Sequence, residues 1–162
     1  MNLTEQLKNF FKRQARTKFG EKNFFRGELE EMYMSLKNKV EFPALALEGM
    51  SSEYIRKENG WWRQITVAYC VFDSYEETGD YDAIDSVMIQ TDKDAAKILG
   101  ELIDEYQVYS TEDNRYNGDC DETGDSLGTA NYIGAETVEV VNSEQDYAGV
   151  RCTITVECWW HE

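Results

Sequence analysis

Apolar residues at Leu3, Leu7, Phe10 and Phe11 recur at i, i+4, i+7 and i+8, with basic residues between them. That spacing predicts an amphipathic helix over residues 3–18. Gly20 and the polar Glu21-Lys22-Asn23 supply a stop and a turn. A second helix is predicted over about residues 27–38, with Leu29, Met32, Tyr33 and Leu36 on one face and Glu28, Glu30 and Glu31 in the first turn. The period then falls to two. Leu45 and Leu47 alternate with small or polar residues in 43–49, a short strand that opens on Pro43, the one proline of the chain. Residues 50–60 are polar and end in the turn dipeptide Asn59-Gly60, so they read as a long connector.

The run 61–72 is a longer strand, rich in β-branched and aromatic residues. Arg63, Ile65, Val67, Tyr69 and Val71 share one face; Trp62, Gln64, Thr66, Ala68, Cys70 and Phe72 share the other. Helical spacing returns over 80–107, first through Tyr81, Ile84 and Met88, then through Ala95, Ile98, Leu99, Leu102, Ile103 and Tyr106. Thr91-Asp92 between the two stripes has N-cap chemistry, so the segment reads as one helix kinked there or as two. Residues 110–128 are loop by composition. Two alternating runs, 129–142 and 147–160, flank Ser143-Glu144-Gln145-Asp146 and predict an antiparallel hairpin. The order α-α-β-β-α-β-β, with hairpin-connected strands, predicts an α+β two-layer sandwich: a mostly antiparallel or mixed sheet with helices on one face. One domain spans residues 1–162, with no internal repeat or proline-rich linker.

Charge changes this picture. The 162 residues carry 32 acids against 16 Lys and Arg, a formal net charge of −16, while 41% hydrophobic and 13% aromatic residues supply a core that an acidic disordered tail would lack. Residues 1–26 are net +5, through Lys8, Lys12, Arg13, Arg16, Lys18, Lys22 and Arg26 against Glu5 and Glu21. Residues 73–125 are net −14. Such a balance excludes gripping nucleic acid or anionic membrane through the acidic middle, because both require Lys and Arg against phosphate. Opposite charge at two ends of one chain is first of all a basic helix and a solvated acidic face, and it also suits association of identical copies. Lys8, Lys12 and Arg13 interrupt any leader-like apolar run, and no stretch approaches the ~20 apolar residues of a membrane span.

Chemical signatures are sparse. Cys70, Cys120, Cys152 and Cys158 lack zinc-site spacing. Cys152 and Cys158 on one strand would sit ~20 Å apart and could not bridge, so free buried thiols are expected. His161 is the one histidine, which leaves no triad or two-histidine metal site to build. Asp113, Asn117, Asp119, Asp121, Glu122 and Asp125 are calcium-type oxygen donors. Counting an EF-hand from Asp119 puts Ala130 where the bidentate Glu belongs, and counting from Asp113 puts Arg115 third, so the run reads as a solvated acidic loop. No cofactor and no catalytic residue is expected. Trp61-Trp62 and Trp159-Trp160 stand at strand ends, where alternation turns one ring of each pair inward and one outward. Outward Trp with a polar rim is contact chemistry.

The series of N-terminal helices, Phe42-Pro43-Ala44-Leu45-Ala46-Leu47-Glu48, the strand 62–72, the helical stretch 80–107 and the closing hairpin 129–160 resembles the tail terminator (tail completion) proteins of long-tailed bacteriophages and related head–tail connector rings. The resemblance covers nearly the whole chain as an order of elements, without a diagnostic motif. It implies a structural, non-enzymatic virion protein, assembled in the host bacterial cytoplasm. Several copies, commonly six in such families, would form a ring that caps the tail tube, meets tube and connector proteins, and lets DNA pass without gripping it. The interface residues expected on this reading are Phe10, Phe11, Arg13, Arg16, Trp61, Trp62, Trp159 and Trp160; Asp113, Asp119, Asp121, Glu122 and Asp125 would line an acidic lumen or loop. The alternative is a small acidic cytosolic module, DNA-mimic or immunity-like, that masks one basic partner protein.

Overall fold

The structure, a computed structural model, describes residues 3–27, 41–58, 60–76, 81–106, 131–142 and 146–161. Among these residues, two helices pack on one side of a five-stranded sheet. Helix α1 spans Leu3–Lys18, followed by β1 (Phe24–Arg26), β2 (Ala44–Lys57) and β3 (Gly60–Ser74). Helix α2 spans Tyr81–Tyr106, and β4 (Asn131–Asn142) and β5 (Tyr147–His161) complete the order. In space the strands run β1-β2-β3-β5-β4. All neighbours are antiparallel except β1 and β2, which are parallel, so the sheet is mixed. The chain is an α+β two-layer sandwich.

Helix α1 ends where the sequence stops it. The amides of Phe19 and Gly20 both donate to the Ala15 carbonyl at 2.9 and 3.0 Å, and Gly20 takes a positive φ of 139°, which glycine tolerates. The turn is then tied to the sheet by Asn23, which is buried: its Nδ2 donates to the Pro43 carbonyl at 2.7 Å and its own carbonyl accepts from the Leu45 amide at 2.9 Å. That anchor sets β1 beside the start of β2, with Phe24 opposite Leu45. The three-residue strand β1 was not expected. Gly27 follows it with a φ of 139° and is not helical; the rest of the predicted 27–38 helix lies outside the described residues.

The connector expected over 50–60 is instead strand. Ser51, Glu53 and Tyr54 pair with Thr66, Gln64 and Arg63, so β2 runs unbroken to Lys57 apart from a bulge between Leu47 and Gly49. Polarity had suggested a loop because this half of β2 is mostly exposed. A polar strand with solvent on its surface needs no apolar alternation. Lys57 pairs with Gly60, so β2 and β3 form a tight hairpin.

Helix α2 is one helix. Ile84, Met88, Thr91, Ala95, Ile98 and Leu102 follow each other at alternating steps of four and three and face the sheet, so Thr91 lies within the apolar stripe. Its hydroxyl donates to the carbonyls of Val87 at 2.8 Å and Met88 at 3.1 Å. A buried threonine is satisfied by that back-bonding without breaking the helix, and no N-cap is needed. Tyr81, placed by the sequence on the apolar face, is 76% exposed.

The main core lies between the layers. Leu7, Phe10, Phe11 and Ala15 of α1 and Ala95, Ile98 and Leu102 of α2 meet Leu45, Leu47, Ile65, Val67, Tyr69, Val71, Val150, Cys152, Ile154 and Val156 of the sheet. The two-face division of β3 holds: Cys70 and Phe72 join a second apolar cluster with Phe25, Ala44, Ala46 and Tyr147 on the opposite side. Gly149 is obligatory there. A Cβ would fall 2.7 Å from the Phe72 Cα and inside contact distance of the Val71 carbonyl oxygen, both backbone. Gly149→Ala should therefore lower stability by about 2–3 kcal/mol, the scale of an overpacked core. A lower urea midpoint with an unchanged m-value would show it.

Candidate functional site

The β2–β3 hairpin carries the densest exposed contact chemistry among the described residues. Cross-strand pairing sets Tyr54 opposite Arg63, Ile55 opposite Trp62 and Arg56 opposite Trp61. Three cations lie over three rings: Arg56 is 6.0 Å from the Trp61 centroid, Lys57 is 4.8 Å from Trp62, and Arg63 is 5.7 Å from Tyr54. Each such pairing adds a modest attraction and, more importantly, holds a long side chain in one place. Trp62 is 5% exposed, whereas Trp61 is 38% and Tyr54 47% exposed. The adjacent tryptophans thus divide into one covered ring and one presented ring.

Beneath the hairpin, the buried Glu157 organises its neighbours. Its Oε1 accepts from Lys57 Nζ at 2.7 Å and its Oε2 from Gln64 Nε2 at 3.2 Å. Both carboxylate oxygens are used, which is what allows a buried charge to be tolerated. Farther along the same sheet face, Arg151 holds Glu48 in a fork: Nε to Oε2 at 2.6 Å and Nη2 to Oε1 at 3.0 Å. Between these anchors the face is polar, with Ser51, Thr66 and Thr155 in cross-strand register and the two threonine hydroxyls 3.3 Å apart. This surface offers adhesion and orientation. It offers no nucleophile paired with a base.

Helix α1 presents a second charged surface. Lys8, Lys12, Arg13 and Arg16 are exposed on its outer side. Arg13 lies 5.6 Å over the Phe10 ring, and Lys18 reaches across to Glu101 of α2 at 2.9 Å. Hydrogen bonds from Lys18 and Gln14 hold the Glu101 carboxyl below its ordinary range. Phe10 and Phe11, named from the sequence as contact residues, are fully buried and pack edge-on at 5.1 Å within the core. Their apolar surface is covered inside the protomer, while Arg13 and Arg16 from the same set face solvent.

The remaining expected residues divide in two. Trp159 and Trp160 lie in β5, with Trp159 paired to Trp62 along the backbone, and their side chains lie outside the described set, as does that of His161. Asp113, Asp119, Asp121, Glu122 and Asp125 also lie outside the described residues. Among those described, no group of three or more His, Cys, Asp or Glu is placed to hold a metal ion, and no helix is long and apolar enough to cross a membrane. Cys70 and Cys152 are buried free thiols on opposite sides of the sheet, and burial pushes the Cys152 thiol up. A groove of about 310 Å³ runs between α2 and the edge strand β4, bounded by Met88, Ile89, Asp92, Thr137 and Glu139. Sequence reasoning missed Tyr54, Arg56, Glu48 and Glu157. The Asn59-Gly60 turn between a run ending in Tyr-Ile-Arg-Lys and one starting in Trp-Trp-Arg-Gln was the available signal for the first two. No family model matches the chain, and no curated protein matches it.

Two substitutions test the electrostatics. Arg151→Ala leaves the Glu48 carboxylate, with a side chain only 8% exposed, without its fork, and should lower stability by about 3 kcal/mol in chemical unfolding. Asp73 behaves oppositely. Burial, and to a lesser degree the nearby Asp94 charge, push its carboxyl up, against a hydrogen bond from the Ser74 amide. The folded state therefore binds its proton more tightly than the unfolded chain, so stability falls as pH rises from the unfolded value through the folded one. Asp73→Asn keeps an oxygen for Ser74 and removes the charge. Its melting temperature should exceed the parent's at pH 7, with the gap closing towards pH 3.

Proposed function

We propose that this protein is a structural virion subunit that assembles with copies of itself into a ring at the head–tail junction of a long-tailed bacteriophage, capping the tail tube and docking it to the capsid connector. The observation that carries the reading is the presented tip of the β2–β3 hairpin. Trp61, Tyr54 and Arg56 are of the residue types that dominate binding energy at protein interfaces, and they are preset on a rigid two-stranded support. The exposed basic side of α1 adds a second surface, on a chain whose residues 73–125 are net −14. Opposite patches on one molecule attract head to tail, and closed head-to-tail contacts make rings. A net charge of −16 also suits a conduit, because carboxylates repel passing phosphate.

Light scattering on the size-exclusion peak, followed by negative-stain imaging, tests this directly. One species of uniform stoichiometry, seen as rings, is the expected result. A strict monomer at high concentration overturns the ring; a monomer that captures one basic protein tightly would instead favour an acidic inhibitor. A gel-shift assay with duplex DNA should show no retardation even at low salt.

A further inference from the structure

The sheet ends on two unfinished edges. On one side, β4 pairs with β5 alone among the described residues. On the other, β1 covers β2 only from Leu45 to Leu47. Arg26 marks that boundary, because its Nη1 donates to the carbonyls of Leu47 at 2.9 Å and Glu48 at 3.2 Å. From residue 49 to Lys57, β2 pairs with β3 alone among the described residues.

Both edges are only partly blunted, residues 49–57 by the terminal Lys57 and β4 by Glu139 on the helix-bearing side. Exposed strands are commonly protected by proline, lysine or an inward charge. The one proline of the chain, Pro43, precedes β2, and β4 contains no Pro, Lys or Arg. Its Thr137, Val138, Val140 and Val141 are β-branched, and Val138 and Val141 are each 49% exposed. A β-branched edge without Pro or Lys is a template for another strand.

We infer that β4 of one copy takes residues 49–57 of β2 from a second copy as its next antiparallel strand, joining the sheets of successive protomers head to tail. This rests on the self-assembly reading above and specifies its contact. Three features of the chain select a second copy as occupant. First, directions match: strands alternate from β2 through β3 and β5 to β4, so a following β2 lies antiparallel to β4 and continues the alternation. Second, faces match. Met50, Ser52 and Tyr54 pair with Val67, Ile65 and Arg63, and Thr137 and Glu139 pair with Cys152 and Val150, so both rows lie on the helix-bearing side. The joined sheet keeps its helices on one side throughout. Third, the charges are opposite: β4 bears Glu136 and Glu139 as its only charges, whereas residues 49–57 bear Arg56 and Lys57 against Glu53. The contact is heterologous, so it propagates and closes only by rotation.

Two edge-blocked variants, each placing lysines on exposed positions, separate this contact from other modes of association: Val138→Lys with Val141→Lys on β4, and Ser52→Lys with Tyr54→Lys on β2. Light scattering should give an oligomer larger than a dimer for the parent chain and the monomer mass for each variant, with parental far-ultraviolet circular dichroism. An equimolar mixture of the two should give twice the monomer mass and nothing larger, because one native β4 and one native β2 edge remain. Either variant retaining the parental mass, or a mixture that stays monomeric, overturns the edge contact while a parental ring would leave the assembly reading standing. A monomeric parent chain overturns both. Should a variant fail to fold, amide exchange on the parent decides: residues 51–55 and 138–141 should both exchange at least tenfold more slowly in the oligomer than in the diluted monomer, and equal rates in either segment overturn the contact.

Discussion

Tyr69 sets how the two layers meet. It sits fully buried on the central strand β3, its ring tilted against Phe11 of α1 at 4.8 Å, and its hydroxyl donates to the Ala95 carbonyl of α2 at 2.9 Å. One side chain therefore touches both helices and fixes their position on the sheet. A buried phenol requires a partner for its O–H, and the helix backbone supplies one without introducing a second buried charge. The apolar stripes of α1 and α2 fall to either side of that contact. Both helices are consequently used on one face, which leaves the polar row of Ser51, Thr66 and Thr155 on the other without a helix of the described set above it.

Elements whose apolar period is complete were legible in the sequence. The stripe Leu7, Phe10, Phe11 gave α1 its bounds, and the alternation through Ile65, Val67, Tyr69 and Val71 separated the two faces of β3. Legibility failed where tertiary pairing replaces local pattern. Residues 50–57 carry no apolar alternation because neither face of that half of β2 is deeply covered, and the ladder to β3 alone keeps them extended. Thr91 misled for a related reason: its hydroxyl makes it a cap candidate by type, while its phase within the stripe makes it a core residue. Phase was the better guide. Three residues of β1 are too few for any periodicity, and only the Asn23 anchor places them.

The contact residues were legible by type and not by exposure. Tryptophan pairs and phenylalanines stood out in the sequence, yet burial divides them: Phe10, Phe11 and Trp62 are covered, and Trp61 is presented. What lifts Trp61 above an ordinary exposed ring is its setting among Arg56, Lys57 and Arg63, each in cation–π range of a neighbouring aromatic. Arg56 and Lys57 come from residues 50–60, whose polarity predicts a connector, whereas Arg63 lies in the strand that the alternation predicts. The buried Glu157 holds Lys57 in place, because it ties Lys57 to Gln64 across three strands.

Charge then constrains how copies can meet. A molecule of net charge −16 repels its own copies at long range, and that repulsion acts over roughly a Debye length, about 8 Å at physiological salt. Association must therefore come from short-range, directional contacts that locally reverse the sign. The described surface includes such places in the Lys8–Lys12–Arg13–Arg16 side of α1 and the Arg56–Lys57 end of β2. The edge strand β4 carries only acids, so it repels a second β4 and is complementary to β2. Like-charge repulsion thus acts against a symmetric β4–β4 dimer and favours a head-to-tail junction. Within the proposed assembly, the acidity that keeps DNA from adhering would also select which edges join.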